Sequence, residues 1–121
     1  MRRRTRILKR VPNYSSLDLM FAALADGSRR TMVERLTRGP ATVKELAAPL
    51  KMSLPAVLQH LRVLEDSGLV QSSKTGRVRT CRLEPAALQE AEKWITARRV
   101  GWERRLDRLE TFLTTDIEGD F

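Results

Sequence analysis

The sequence predicts a mostly α-helical domain that carries one small β-hairpin. Three observations point there. Short stretches between Leu17 and Ser67 repeat apolar residues at three- and four-residue steps, and several open on residues suited to capping a helix. Lys74-Thr75-Gly76-Arg77 separates two strand-like runs. Past Pro85 the helical period returns and is held almost to the end of the chain.

Each element follows from its own residues. Residues 17–25, LDLMFAALA, form a strongly apolar first helix. Residues 28–37 form the second, capped by Asp26, with Met32, Val33 and Leu36 on one face and Gly39-Pro40 as its stop. Thr42 caps a third helix, VKELAAPL, and Glu45 three residues on completes a capping box; Pro49 ends this helix early. Ser53 caps the fourth, which tolerates Pro55 in its first turn and stops at Gly68. Val57, Leu61 and Leu64 point to one side of it. Leu69–Ser73 and Val78–Leu83 are the strands, and Pro85 opens a long helix to about residue 114. The order α-α-α-α-β-β-α, with Lys51-Met52-Ser53 as the turn between the third and fourth helices, is that of a winged helix-turn-helix.

Size and charge agree with one small domain. The chain has 121 residues and a net charge of +8. Residues 1–10 hold six cations and no anion, and residues 28–82 a net +7, whereas residues 83–121 carry a net −3. Cations concentrated in the tail and the middle suit a polyanion. Residues 1–13 read as a basic, flexible tail, 14–115 as the domain and 116–121 as a second flexible tail. No run approaches the roughly 20 apolar residues of a membrane span, and the basic N-terminus lacks the apolar stretch of a secretory signal. Cys81, the only cysteine, excludes an internal disulfide and fits a reducing cytoplasm, and no membrane partner is expected.

In a helix pair joined this way the second helix enters the major groove of double-stranded DNA. Ser53, Leu54, Ala56, Gln59 and His60 lie at its leading end. Gln59 suits a bidentate bond to adenine, and Leu54 and Ala56 suit contact with a thymine methyl. Thr42 and Lys44 on the third helix, Arg62 on the fourth, and Lys74, Arg77 and Arg79 on the ribbon complete the candidate DNA-binding set; the ribbon arginines reach phosphates or the minor groove. Leu88, Ala91, Ile95, Trp102, Leu106, Leu109 and Leu113 form a stripe along the last helix, interrupted by Arg98. Too little chain remains to cover that stripe, so a second copy is expected to do so, the alternative being the first helix of the same chain.

The stretches "FAALADGSRRTMVERL", "ELAAPLKMSLPAVLQHLRVLEDSGLV" and "KTGRVRTCRLEP" resemble the ArsR/SmtB family of bacterial winged-helix repressors over roughly residues 16–115. The resemblance implies a homodimer through the first and last helices, with Leu19 and Met20 joining Leu88, Ile95, Trp102, Leu106, Leu109 and Leu113 in its interface. It implies an imperfect palindromic operator and repression often relieved by an effector, here unidentified. His60 matches the family's histidine on the recognition helix, as a DNA contact or an orienting residue; packing on the helix flank is the alternative. The chain departs from the family at Leu58, where relatives often carry Ser, so Leu58 either faces DNA or turns into the core. The cysteine pairs and last-helix histidines of metal-sensing relatives are missing, and one Cys with one His cannot supply a tight transition-metal site, so no metal and no cofactor are expected.

Cys81 reads as a packed thiol whose pKa Arg79 and Arg82 would lower. Trp94 and Trp102 read as interface anchors or as walls of an effector pocket, and Arg98 as a partner for Glu103 or Asp107 across a dimer. An enzyme is not expected, because no nucleophile motif, phosphate loop or metal cluster is present. A sequence-specific, cytoplasmic, nucleoid-associated repressor near its own gene is the expected function. The rivals are a sequence-tolerant architectural DNA binder and a winged-helix module that binds a protein partner.

Overall fold

The computed structural model describes the backbone of residues 15–119 and the side chains of residues 15–115. The predicted basic tail, residues 1–13, lies outside the described residues. The chain divides into two compact units, one through Leu88 and one from Gln89 onward.

Local hydrogen bonds set the helix starts of the first unit. α1 spans Ser16–Leu24. Ser15 Oγ accepts the Asp18 N–H and the Asp18 carboxylate accepts the Ser15 N–H, both at 3.2 Å, which is a capping box that sequence reasoning missed. α2 spans Gly27–Leu36, and Asp26 Oδ2 accepts the Arg29 N–H at 3.0 Å. α3 is short, Val43–Ala47, and opens on the expected Thr42–Glu45 box. Pro49 sits in the tighter helical turn Ala48–Leu50 that ends it. Lys51, left-handed at φ 48°, turns the chain into α4, Leu54–Asp66, which Ser53 Oγ caps. Gly68, at φ 82°, closes α4 as expected.

The sheet is larger than the expected ribbon. Ala41–Thr42 forms a two-residue strand, β1, that pairs antiparallel with β3, Val78–Leu83; β2, Val70–Thr75, lies on the other side, so the order is β1-β3-β2. Thr75 faces Val78, which shortens the turn of the β2–β3 wing to Gly76-Arg77, and Gly76 takes φ 62° without the strain a Cβ brings. Ala41 opposite Cys81 is a contact between residues far apart in sequence, and nothing local in a two-residue run announces it.

The core joins one face of each helix to the sheet. Met20 and Ala23 of α1 meet Met32 and Leu36 of α2, Leu46 of α3, Val57, Leu61 and Leu64 of α4, and Leu69 and Cys81. Met20 is 0% exposed, which corrects its expected place in a dimer interface: its helical phase matches Ala23, whereas Leu19 and Phe21 point outward. Leu88 is half-buried and packs against this core.

α5 spans Pro85–Gly119, 35 residues. A helix of that length is about 50 Å long. It runs past the expected end near residue 114 and takes up residues 116–119 of what was expected to be a flexible tail. In the second unit Ile95, Trp102, Leu106, Leu109 and Leu113 are each roughly half exposed, and Phe112, absent from the expected set, is more so. Arg98 lies over the Trp94 ring, 4.4 Å from its centroid, and Glu103 pairs with Arg99 along the helix. Among the described residues no helix is long and apolar enough to cross a membrane.

Candidate nucleic-acid interface

The outward face of α4 and the wing carry the exposed residues of interest. Val57, Leu61 and Leu64 point into the core, and that phase turns Leu54, Leu58, Gln59 and Arg62 outward. Leu58 is 37% exposed, so of its two expected placements it takes the outer one. Thr42, Lys44, Leu54, Leu58, Lys74, Arg77 and Arg79 line one groove, between α3, α4 and the wing. Gln59, Arg62 and Arg79 line a smaller cleft on the other flank of Leu58, together with Glu65 and Asp66. Eight of the eleven candidate residues line one or other of these grooves, and Ser53 is exposed at the tip of α4.

Several of these side chains have structural work of their own. Thr42 Oγ1 and Ser53 Oγ each accept a helix N–H, from Glu45 and Ala56. Ala56 is half-buried. Arg79 is ion-paired to Glu65, and its Nε donates to Ser72 Oγ at 3.0 Å, while the same hydroxyl donates to Glu65 Oε2 at 2.6 Å. The guanidinium thus braces the wing against α4 with its charge compensated by Glu65. Arg82 donates across the sheet to Gln71 Oε1 at 3.0 Å. Lys44, Lys74 and Arg77 are exposed and make no ion pair among the described residues.

His60 sits on the inner flank of α4. Its Nδ1 lies 3.2 Å from Arg29 Nη1 and 3.9 Å from Asp26 Oδ2, with 22% of the side chain exposed. Sequence reasoning missed Arg29. Its Nε donates to the Ala23 carbonyl at 2.7 Å and its Nη2 to Ala22 at 3.3 Å, and Arg30 reaches the Leu24 carbonyl at 2.8 Å. Two adjacent arginines therefore satisfy three carbonyls at the end of α1, where a helix lacks internal donors. Arg29 also ties that end to α4. The signal was the Ala-Asp-x-Ser-Arg stretch itself, whose spacing puts the cap of α2 and this tie one turn apart.

Electrostatics follow the same geometry. The Arg29 N–H holds the Asp26 carboxyl below its usual range, with further help from the Arg29 charge. The Thr42 N–H does the same for Glu45. Burial pushes the Cys81 thiol up and outweighs the Arg79 charge, so the expected lowering is corrected. No group of three His, Cys, Asp or Glu side chains suited to a metal ion occurs among the described residues.

Known proteins share this architecture. The family described as "Bacterial regulatory protein, arsR family" matches residues 26–72, which run from the α2 cap into the wing. The HTH-type transcriptional regulator Rv2034 of Mycobacterium tuberculosis is 49% identical over 75 residues, covering 62% of this chain and 70% of the relative. The transcriptional repressor SdpR of Bacillus subtilis is 25% identical over 76 residues, covering 63% and 84%. A crystal structure of an ArsR family transcriptional regulator superposes with a TM-score of 0.70 at 46% identity, covering 73% of this chain and 91% of that one. With the helix-turn-helix, the wing and these relatives in agreement, the chain belongs to the ArsR family and is a DNA-binding transcriptional regulator, not an enzyme.

Proposed function

We propose that the protein is a dimeric repressor that binds a palindromic operator near its own gene, in the cytoplasm where that DNA resides. The observation that carries this reading is the exposed, outward face of α4, with Gln59 and Arg62 flanked by the uncompensated cations Lys44, Lys74 and Arg77. Gln59 has the donor and acceptor that adenine requires in the major groove. The three cations suit phosphates and supply affinity without sequence preference. Ser53, at the N-terminus of α4, adds backbone N–H groups suited to a phosphate. His60 acts through Arg29 by setting the angle of α4. The exposed stripe from Ile95 to Leu113 on α5 supports burial against a second copy. A symmetric dimer then meets two half-sites about 34 Å apart, or a multiple of that.

The test is fluorescence anisotropy on the duplex upstream of the gene against a scrambled duplex, at about 0.15 M salt. A preference of about 10³ or more supports an autoregulatory repressor. Equal affinity for both duplexes indicates a sequence-tolerant architectural protein. Binding to neither indicates a module for a protein partner.

A further inference from the structure

The groove between α3, α4 and the wing has a composition that DNA alone does not explain. Its volume is about 920 Å³. That falls within the range of small-molecule sites, roughly 300–1,000 Å³. Val43 and Ala47 form a half-buried floor that packs on the core. Leu54, Leu58 and Val78 form the walls and are 55%, 37% and 51% exposed. A phosphate chain gains nothing from such walls, and a base offers them at most a thymine methyl. No aromatic side chain lines the groove, so there is no platform for a planar ring. Branched aliphatic walls match an aliphatic chain instead.

The rim supplies the other half of the match. Lys44, Lys74 and Arg77 border the groove and make no ion pair among the described residues. The nearby Glu65 carboxylate is engaged by Arg79 and does not compete for them. Apolar walls under an uncompensated cationic rim are complementary to one chemical class, an anionic head group on an aliphatic chain.

We propose that this groove binds a free aliphatic carboxylate, its chain against Leu54, Leu58 and Val78 and its head group on the rim cations, and that the bound acid excludes DNA. The exclusion rests on the operator reading above; the binding does not. The acid occupies the cations that phosphates use, so each ligand weakens the other by the same factor.

Calorimetric titration of the full chain with decanoate below its micellar concentration tests the site in the absence of DNA. The expected result is saturable binding of one decanoate per protomer. It should weaken about fourfold for each methylene removed in the series to octanoate. Leu58→Ser and Val78→Thr should each weaken it several-fold while the circular dichroism spectrum is unchanged; both side chains are exposed. Decyltrimethylammonium, with the same chain and the opposite charge, should not compete. The proposal is overturned by an absence of saturable binding, by equal binding of the cationic amphiphile, by insensitivity to both substitutions, or by attachment to anionic phospholipid vesicles without binding of free decanoate. Anisotropy on the upstream duplex then reads the exclusion. Decanoate should release the duplex over the concentrations that saturate the protein, and a ternary complex of unchanged DNA affinity overturns that part. A duplex that never binds would sink the operator reading and leave the calorimetric result on the groove intact.

Discussion

Arg29 Nη1 donates to His60 Nδ1 at 3.2 Å, joining the start of α2 to the flank of α4. A guanidinium has no acceptor, so Nδ1 is the acceptor and the neutral ring carries its proton on Nε2. Nitrogen-15 spectra of the imidazole should show that tautomer in the free protein; a proton on Nδ1 would contradict the contact. Arg29→Ala removes the donor to His60 and to the Ala22 and Ala23 carbonyls together. It should destabilise the domain by about 1–3 kcal/mol in urea titrations. Arg29→Lys should recover only part of this, because an ammonium cannot span three acceptors in the guanidinium's planar fork.

Asp26 and Glu45 cap α2 and α3 as carboxylates, and both are held below the usual carboxylate range by backbone N–H groups. A carboxyl depressed in the folded state stabilises it above the unfolded-state value, and that contribution fades as pH falls through the folded one. Thermal stability should therefore decline on acidification below about pH 4. Asp26→Asn should flatten that decline while keeping an oxygen on the Arg29 N–H. An unchanged slope would show that Asp26 does not contribute to it.

The two arginines of the wing should separate in function. Arg77 is exposed and Arg79 is braced by Glu65. Arg77→Ala should weaken binding to all duplexes alike and lower the salt slope by about one. Arg79→Ala should lower stability instead, and a double-mutant cycle with Glu65→Gln should give about 0.5–1 kcal/mol of coupling for this partly exposed pair. A salt slope that responds more to Arg79 than to Arg77 would reverse the assignment.

Base reading is placed on Gln59. Its replacement by Ala should cost about 1–3 kcal/mol on the preferred site and nothing on a scrambled duplex. Competition between the two duplexes measures this directly, and full retention of site preference removes Gln59 from the reading set.

The stripe on α5 predicts the assembly. Leu109→Glu places a charge on a side chain that is 54% exposed, so the helix itself should persist. Sedimentation should then shift from dimer to monomer, with operator affinity falling alongside. A monomeric parent protein would refute the dimer.

What the sequence disclosed was local. Asp26, Thr42 with Glu45, Ser53 and Gly68 each act within three or four residues of themselves, so spacing alone located four helix boundaries. What it concealed was distant. The pairing of Ala41 with Cys81, the tie from Arg29 to His60 and the brace from Arg79 to Glu65 all join segments that only the folded chain brings together. Met20 fell between these cases. Its helix was evident, but in a stretch as apolar as LDLMFAALA periodicity does not say which face is inward. The charge count likewise gave seven net cations over residues 28–82 without showing which were already paired.

The caps also bear on the speed of folding. Ser15, Asp26, Thr42 and Ser53 start four successive helices with bonds that close over three residues. Such contacts form early, because little chain entropy is lost in closing them. The β1–β3 pairing of Ala41 with Cys81 encloses about forty residues, and these include α3, α4 and β2. Closing it costs more chain entropy than any of the caps, so the strand that borders the groove depends on contacts the caps cannot supply.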